Sequence, residues 1–293
     1  MDTLLTDEIL NDIYKSAYLV LQQSSQFIPS IHCYNLISKR PLEFSKIELD
    51  ASSHSCAPLT TPRSISAMQN AIFSNPTEII QFLQNNPDLI GLFPIPREPN
   101  LSLDLPILSH IHSIQEYIQT LSYNYLGEPF FVVKKSSSVR NLLKLAQKMV
   151  QQALPIKCLE ATILGIYLTM KFDDLLRMTV SFKSECNGEI YRHIVLIIKL
   201  GGKWGAIGLS KKSDLMNKSL TYTSLSELME NYKTCYEKNN HTLLKIKLGL
   251  PVTHNPASNE KIVWKKSSIR LQDTLWDISS KEIDAHSRSL RSL

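Results

Sequence analysis

Two adjacent glycines, Gly201 and Gly202, interrupt a long strand-forming stretch: IYRHIVLIIKL (190–200) before them and KWGAIGLS (203–210) after them. A two-residue break between β-branched and aromatic runs specifies a hairpin with a type I′ turn. Such a turn pairs Leu200 with Lys203, so facing residues have numbers that sum to 403. That register puts His193 opposite Ser210. Side chains directly across an antiparallel pair share one face, with Cβ atoms roughly 4.5–5.5 Å apart. Alternation adds Tyr191, Val195 and Ile197 to the face of His193.

The segments around the hairpin predict an α+β fold with an antiparallel sheet. Helices are expected over 109–121, over 139–153 with Ser137 or Ser138 as cap, and from Lys157–Cys158 to Met170. The last is apolar on all sides (Leu159, Ala161, Ile163, Leu164, Ile166, Leu168), which requires central burial. FFVVK (130–134) reads as a strand, as do 178–184 and 242–249. Further helices are expected over 224–239, capped by Ser224 or Ser226, and over 281–291. Upstream, apolar residues at 5, 9, 13, 17, 20 and 21 form one helical stripe, and shorter helices are expected over 66–74 and 76–85. Residues 51–66 (ASSHSCAPLTTPRSIS) read as a Ser/Thr/Pro-rich linker. The proline-rich stretch FPIPREPNLSLDLP (93–106) marks a boundary, giving a helical N-terminal region over 1–92 and a second domain over 93–293.

Composition narrows the function classes. With 293 residues, 43% hydrophobic and 20% charged, the chain can bury a substantial core. Its apolar runs fall far short of the ~20 residues that span a bilayer. MDTLLTDEIL lacks a basic region of the signal-peptide kind, so a cytoplasmic location is expected. The five widely spaced cysteines include no CxxC pair and read as reduced thiols. His110 and His112 have no partner at ligand spacing, so neither a metal nor a cofactor is expected. Net charge is +5, but residues 1–100 carry −4 and residues 131–215 carry +8. The basic excess surrounds Cys158 and favours an acidic partner. Nucleic acid is disfavoured for want of a recognition helix or interleaved aromatics.

Cys158 opens the central helix. There, unpaired N–H groups, the helix dipole and the neighbouring Lys157 all favour the thiolate. Alone, such a cysteine reads as a packed small hydrophobe, and His193 alone reads as a satisfied sheet histidine. Their chain order changes that reading. A thiol on a central helix, then a histidine on a strand, then a polar residue on the next strand is the order of papain-like and transglutaminase-like cysteine catalysts. Ser210 is the candidate third member, through its hydroxyl or its carbonyl, and Asp214 is the nearest carboxylate beyond it.

At these residues the sequence resembles the vasohibin family. The matching stretches are ALPIKCLEATILGIYLT, YRHIVL, GAIGLSKKSDLM, YN at 123–124, FFVVKKS at 130–136 and TSLSELM at 223–229. The resemblance covers about 93–290. It implies a transglutaminase-like cysteine peptidase core, with a Cys-bearing helix packed on an antiparallel sheet. The implied activity is removal of the C-terminal tyrosine of α-tubulin, which would bring the protein to microtubules and the cytoskeleton. Cys158 aligns with the family nucleophile, His193 with the base and Ser210 with the third member. Tyr123, Lys157 and Lys211 align with residues that hold the terminal tyrosine and its carboxylate. Vertebrate members have arginine where Lys211 stands, and lysine keeps the charge but loses the bidentate fork. The resemblance also implies a helical partner, the small vasohibin-binding protein. The apolar stripe of residues 5–21 would either dock such a helix or pack on its own core. From another class, the alternative is a non-catalytic microtubule-binding protein that uses the same basic face.

Overall fold

The computed structural model describes residues 96–290 except 103, 125–128 and 273. The helices and linker expected within 1–92 lie outside the described residues. Five helices of at least eleven residues and six strands make up the described part: α1 (Ile107–Thr120), α2 (Val139–Gln152), α3 (Cys158–Leu168), β1 (Leu176–Cys186), β2 (Glu189–Leu200), β3 (Lys203–Ile207), β4 (Lys218–Tyr222), α4 (Leu225–Lys238), β5 (Thr242–Pro251), β6 (Ser267–Arg270) and α5 (Trp276–Ser289). The sheet is antiparallel throughout, in the order β4-β3-β2-β1-β5-β6.

The hairpin forms as expected. Leu200 pairs with Lys203, Ile197 with Ala206 and Leu196 with Ile207. Gly201 and Gly202 take φ values of 55° and 80°, the left-handed region the turn demands. The ladder then stops. Buried Gln115 on α1 donates to the Gly208 carbonyl at 2.9 Å and accepts from the Gly208 N–H at 3.1 Å. A side-chain amide thus takes both backbone groups of Gly208, and the chain leaves the sheet before reaching Ser210. The strand expected to run through 210 ends at Ile207.

Strand alternation divides the packing between two faces. Leu196 lies against α3, where a Cβ added at Gly165 would come within 3.2 Å of its Cδ2. Val195, Ile197, Met178, Val180 and Phe182 join Leu228, Met229 and Tyr232 of α4 and Ile283 of α5 in the core of the opposite face. The central helix is walled in as its sequence demands, with residues 160–166 all buried. At its far end Arg177, fully buried on β1, clamps α3 to the loop after β5. Its guanidinium donates to the carbonyls of Ile166 (2.9 Å), Val252 (3.3 Å) and Thr253 (2.9 Å).

Ser138 and Ser224 cap α2 and α4, accepting from the N–H groups of Asn141 and Glu227. FFVVK is not a strand. Phe131 is buried and Val132 exposed, as alternation requires, but no strand among the described residues lies beside them. Among the described residues, this region's ladder contact is one isolated bridge, Ser138 to Lys261. Strands β4 and β6 were not expected, and α5 begins at Trp276 rather than near 281. No helix among the described residues is long and apolar enough to cross a membrane.

Candidate active site

Cys158 is the first residue of α3, and Lys157 is its N-cap, with no side-chain cap of its own. The helix start is instead held by Glu160, whose carboxylate accepts from the backbone N–H groups of Lys157 and Glu160. This is the returning half of a capping box. It fixes the turn that carries the sulfur.

The ladder between β2 and β3 ends at Leu196↔Ile207, so Ile194, two residues further along β2, has no β3 residue across from it. Its N–H points to the Cys158 sulfur, as do the N–H groups of Leu159 and Cys158. The early departure of β3 therefore makes room for the thiol at the sheet. Helix-terminal N–H groups do favour the thiolate, as the sequence suggests, but burial outweighs them and pushes the thiol above its ordinary value, with the Glu160 charge adding to the rise.

His193 follows Arg192 on β2 and lies directly across from Phe182 of β1. The two rings stack with centroids 6.2 Å apart. Its Nε2 lies 2.8 Å from the Leu215 carbonyl. A carbonyl can only accept, so Nε2 carries the proton and Nδ1 keeps its lone pair. Burial lowers the imidazole to about 4, against the upward pull of that hydrogen bond. At neutral pH the site therefore rests as thiol and neutral imidazole.

The hydrogen bond expected from Ser210 comes from the main chain of Leu215. Residues 213–215 form a short 3-10 turn that puts this carbonyl beside the ring. Ser210 stays in the preceding loop, where its hydroxyl accepts from the Lys212 N–H at 3.2 Å. Asp214 points away, with both carboxylate oxygens on the Asn239 amide at 3.0 and 2.8 Å. A role held by a backbone carbonyl leaves no residue-type signal, which is why sequence reasoning missed Leu215.

Tyr123, Lys157 and Lys211 do come together. Tyr123 forms a parallel bridge with Ile156, and the Asn124 N–H donates to the Ile156 carbonyl at 2.8 Å. This sets Tyr123 one residue from Lys157 and two from Cys158. The Lys211 ammonium lies 5.9 Å from the centre of the Tyr123 ring. Two cations and an aromatic ring are thus gathered at the head of α3.

Cys158 and His193 line one cleft of about 520 Å³. Six basic side chains share its wall: Lys135, Lys183, Arg192, Lys245, Lys247 and Lys265. Among the described residues, no carboxylate lines it. Three of the six come from beyond the basic stretch 131–215, so the charge is gathered by the sheet as well as by the sequence. Trp264 also lines the cleft, fixed by its indole N–H on the Lys135 carbonyl at 2.8 Å.

A cysteine at a helix head and a histidine on the adjoining strand, in one basic cleft, define a candidate thiol-dependent site. A sequence model of the vasohibin family matches residues 60–291, and the chain belongs to that family. The mouse protein Tubulinyl-Tyr carboxypeptidase 1 is 42% identical over 198 residues, 68% of this chain and 53% of the mouse protein. The chain thus spans about half the length of this curated relative.

Proposed function

We propose that the chain is a cysteine carboxypeptidase with a transglutaminase-like core that removes the C-terminal tyrosine of α-tubulin. The observation that carries this reading is the cleft: among the described residues, Cys158 and His193 share it with six basic side chains and no carboxylate. A tubulin tail is a flexible run of glutamates ending in an aromatic residue, and such a cleft attracts it. The family and the mouse relative's name support the same substrate.

His193 Nδ1 takes the Cys158 proton as the sulfur attacks the last peptide carbonyl. The backbone N–H at the head of α3 faces the oxyanion that forms. The imidazolium then gives its proton to the departing tyrosine amine. Water, activated by the same nitrogen, opens the thioester and frees the shortened tail. The Leu215 carbonyl keeps the ring in the tautomer this needs. Lys157 and Lys211 hold the terminal carboxylate, the Tyr123 ring lies against the leaving side chain, and Ser210 shapes the loop that presents Lys211. A small helical partner would assist the enzyme, which would work in the cytoplasm on the cytoskeleton.

The test is substrate chemistry. The purified full chain is given three peptides: one ending in Glu-Glu-Tyr, its C-terminal amide, and one with the glutamates replaced by glutamine. Free tyrosine from the first, with strong loss for the other two, supports the reading. Equal cleavage of all three contradicts it. Microtubule co-sedimentation without tyrosine release, even after addition of a small vasohibin-binding protein, favours the non-catalytic binder.

A further inference from the structure

Three successive backbone carbonyls, those of Asp214, Leu215 and Met216, each have a different side-chain partner. The Lys218 ammonium donates to Asp214 at 2.6 Å, His193 Nε2 to Leu215 at 2.8 Å, and the Tyr232 hydroxyl to Met216 at 2.8 Å. The two outer partners come from elements unrelated to the histidine strand. Lys218 is on β4, with its ammonium 5.0 Å from the centre of the Tyr232 ring, and Tyr232 is fully buried on α4. The far side is tied as well. The amide of Asn239, the C-cap of α4, spans both oxygens of Asp214 and also donates to the Cys235 carbonyl at 2.8 Å.

This is more anchoring than a three-residue 3-10 turn needs. Two backbone bonds hold it internally, Leu215 N–H to Lys212 at 3.1 Å and Met216 N–H to Ser213 at 3.3 Å, the second longer than usual. A turn of three residues with so few internal bonds does not fix a carbonyl direction by itself. Fixing the carbonyls on both sides does.

Resting on the assignment of His193 as the proton acceptor, we infer that Tyr232, Lys218 and Asn239 are positioning residues: they aim the Leu215 carbonyl at His193 and thereby set the tautomer of the catalytic ring. None of them lines the cleft. They tie β4 and α4, which packs on the face of the sheet that carries His193, to the geometry of the site. A carbonyl in the orienting role can be turned by peptide-plane rotation, which a carboxylate side chain cannot undergo, and the cradle blocks that rotation.

The test compares two hydroxyl deletions one helical turn apart. Tyr232→Phe removes the bond to Met216. Tyr236→Phe removes a buried hydroxyl that has no hydrogen-bond partner among the described residues. Each full-length variant is assayed for tyrosine release and labelled with ¹⁵N-histidine, so that the His193 ring nitrogens report the tautomer. Tyr232→Phe is expected to lower kcat about three- to tenfold, the typical worth of one hydrogen bond. KM should stay unchanged, and the ring signals should move toward a mixture of tautomers. Tyr236→Phe should match wild type in both readouts, and Asn239→Ala should act in the same direction as Tyr232→Phe. Wild-type kcat and ring signals in Tyr232→Phe and Asn239→Ala would overturn the cradle while leaving the reaction in place. If wild type releases no tyrosine even with a small vasohibin-binding protein added, the reaction falls, and the ring signals alone decide: a change in Tyr232→Phe upholds the cradle and no change overturns it.

Discussion

The resting protonation state of the pair has a direct kinetic consequence. Burial pushes the Cys158 thiol up and His193 down to about 4, so each group is neutral at pH 7. An unshifted thiol titrating at about 8.5 is ~3% ionised at pH 7. Cys158 lies below that fraction. A thiolate–imidazolium pair would hold the sulfur almost fully ionised, so alkylation of Cys158 by iodoacetamide should run at least about thirtyfold slower at pH 7 than such a pair allows. The sign is fixed: raising pH removes the thiol proton, so the rate should climb about tenfold per unit from pH 6 to beyond 8. The assay follows alkylation of the Cys158 peptide by mass spectrometry from pH 5 to 10, with Cys186 as an internal comparison. His193→Gln should change the profile little, because the neutral ring contributes no charge. A rate that is flat from pH 5 to 8 and collapses in His193→Gln would refute the reasoning and show a preformed ion pair.

Arg177→Met should lower the melting temperature by roughly 6–12 °C. Three carbonyls lose a charged donor, partly offset by removing a buried charge, for a net of about 3 kcal/mol; a shift under about 2 °C in a circular dichroism melt would contradict this. Gly205→Ala should destabilise the sheet by about 1–3 kcal/mol, because the new Cβ meets the Lys218 carbonyl at 2.7 Å and the Leu220 nitrogen at 3.0 Å, both backbone atoms of the adjoining β4. Urea unfolding measures it, and wild-type stability would mean the β3–β4 spacing is wrong. Lys211→Gln should raise KM for the Glu-Glu-Tyr peptide about three- to tenfold with kcat held, as loss of one charged contact predicts; an unchanged KM would remove Lys211 from carboxylate binding.

Much of the site was legible because it hangs on local rules. Gly201–Gly202 fixes a turn and the turn fixes the register from Leu200↔Lys203 to Leu196↔Ile207, while the strand that carries His193 is read from its β-branched run; the pairing of His193 with Ser210 fails because β3 ends first. Ser138 and Ser224 announce their helices through cap chemistry. The all-round apolar character of α3 demands burial, which brings its first residue to the sheet. What escaped depends on contacts between distant segments. β3 ends at Ile207 because Gln115, about ninety residues upstream, takes both backbone groups of Gly208. A polar residue in an otherwise ordinary helix gives no hint of that. FFVVK has strand chemistry but no neighbouring strand among the described residues, so propensity alone misleads there. Helix-terminal electrostatics suggested a lowered thiol, and the degree of burial, which only the fold reveals, reversed the direction.

The central claim is that Cys158 forms the covalent bond to the tail. The most direct measurement is tyrosine release from the Glu-Glu-Tyr peptide by the full chain and its Cys158→Ala variant, side by side and with the small partner present. The account predicts release by the wild type and a loss of at least ~10³-fold in the variant, whose fold should be unchanged. Equal release by the two proteins would contradict it.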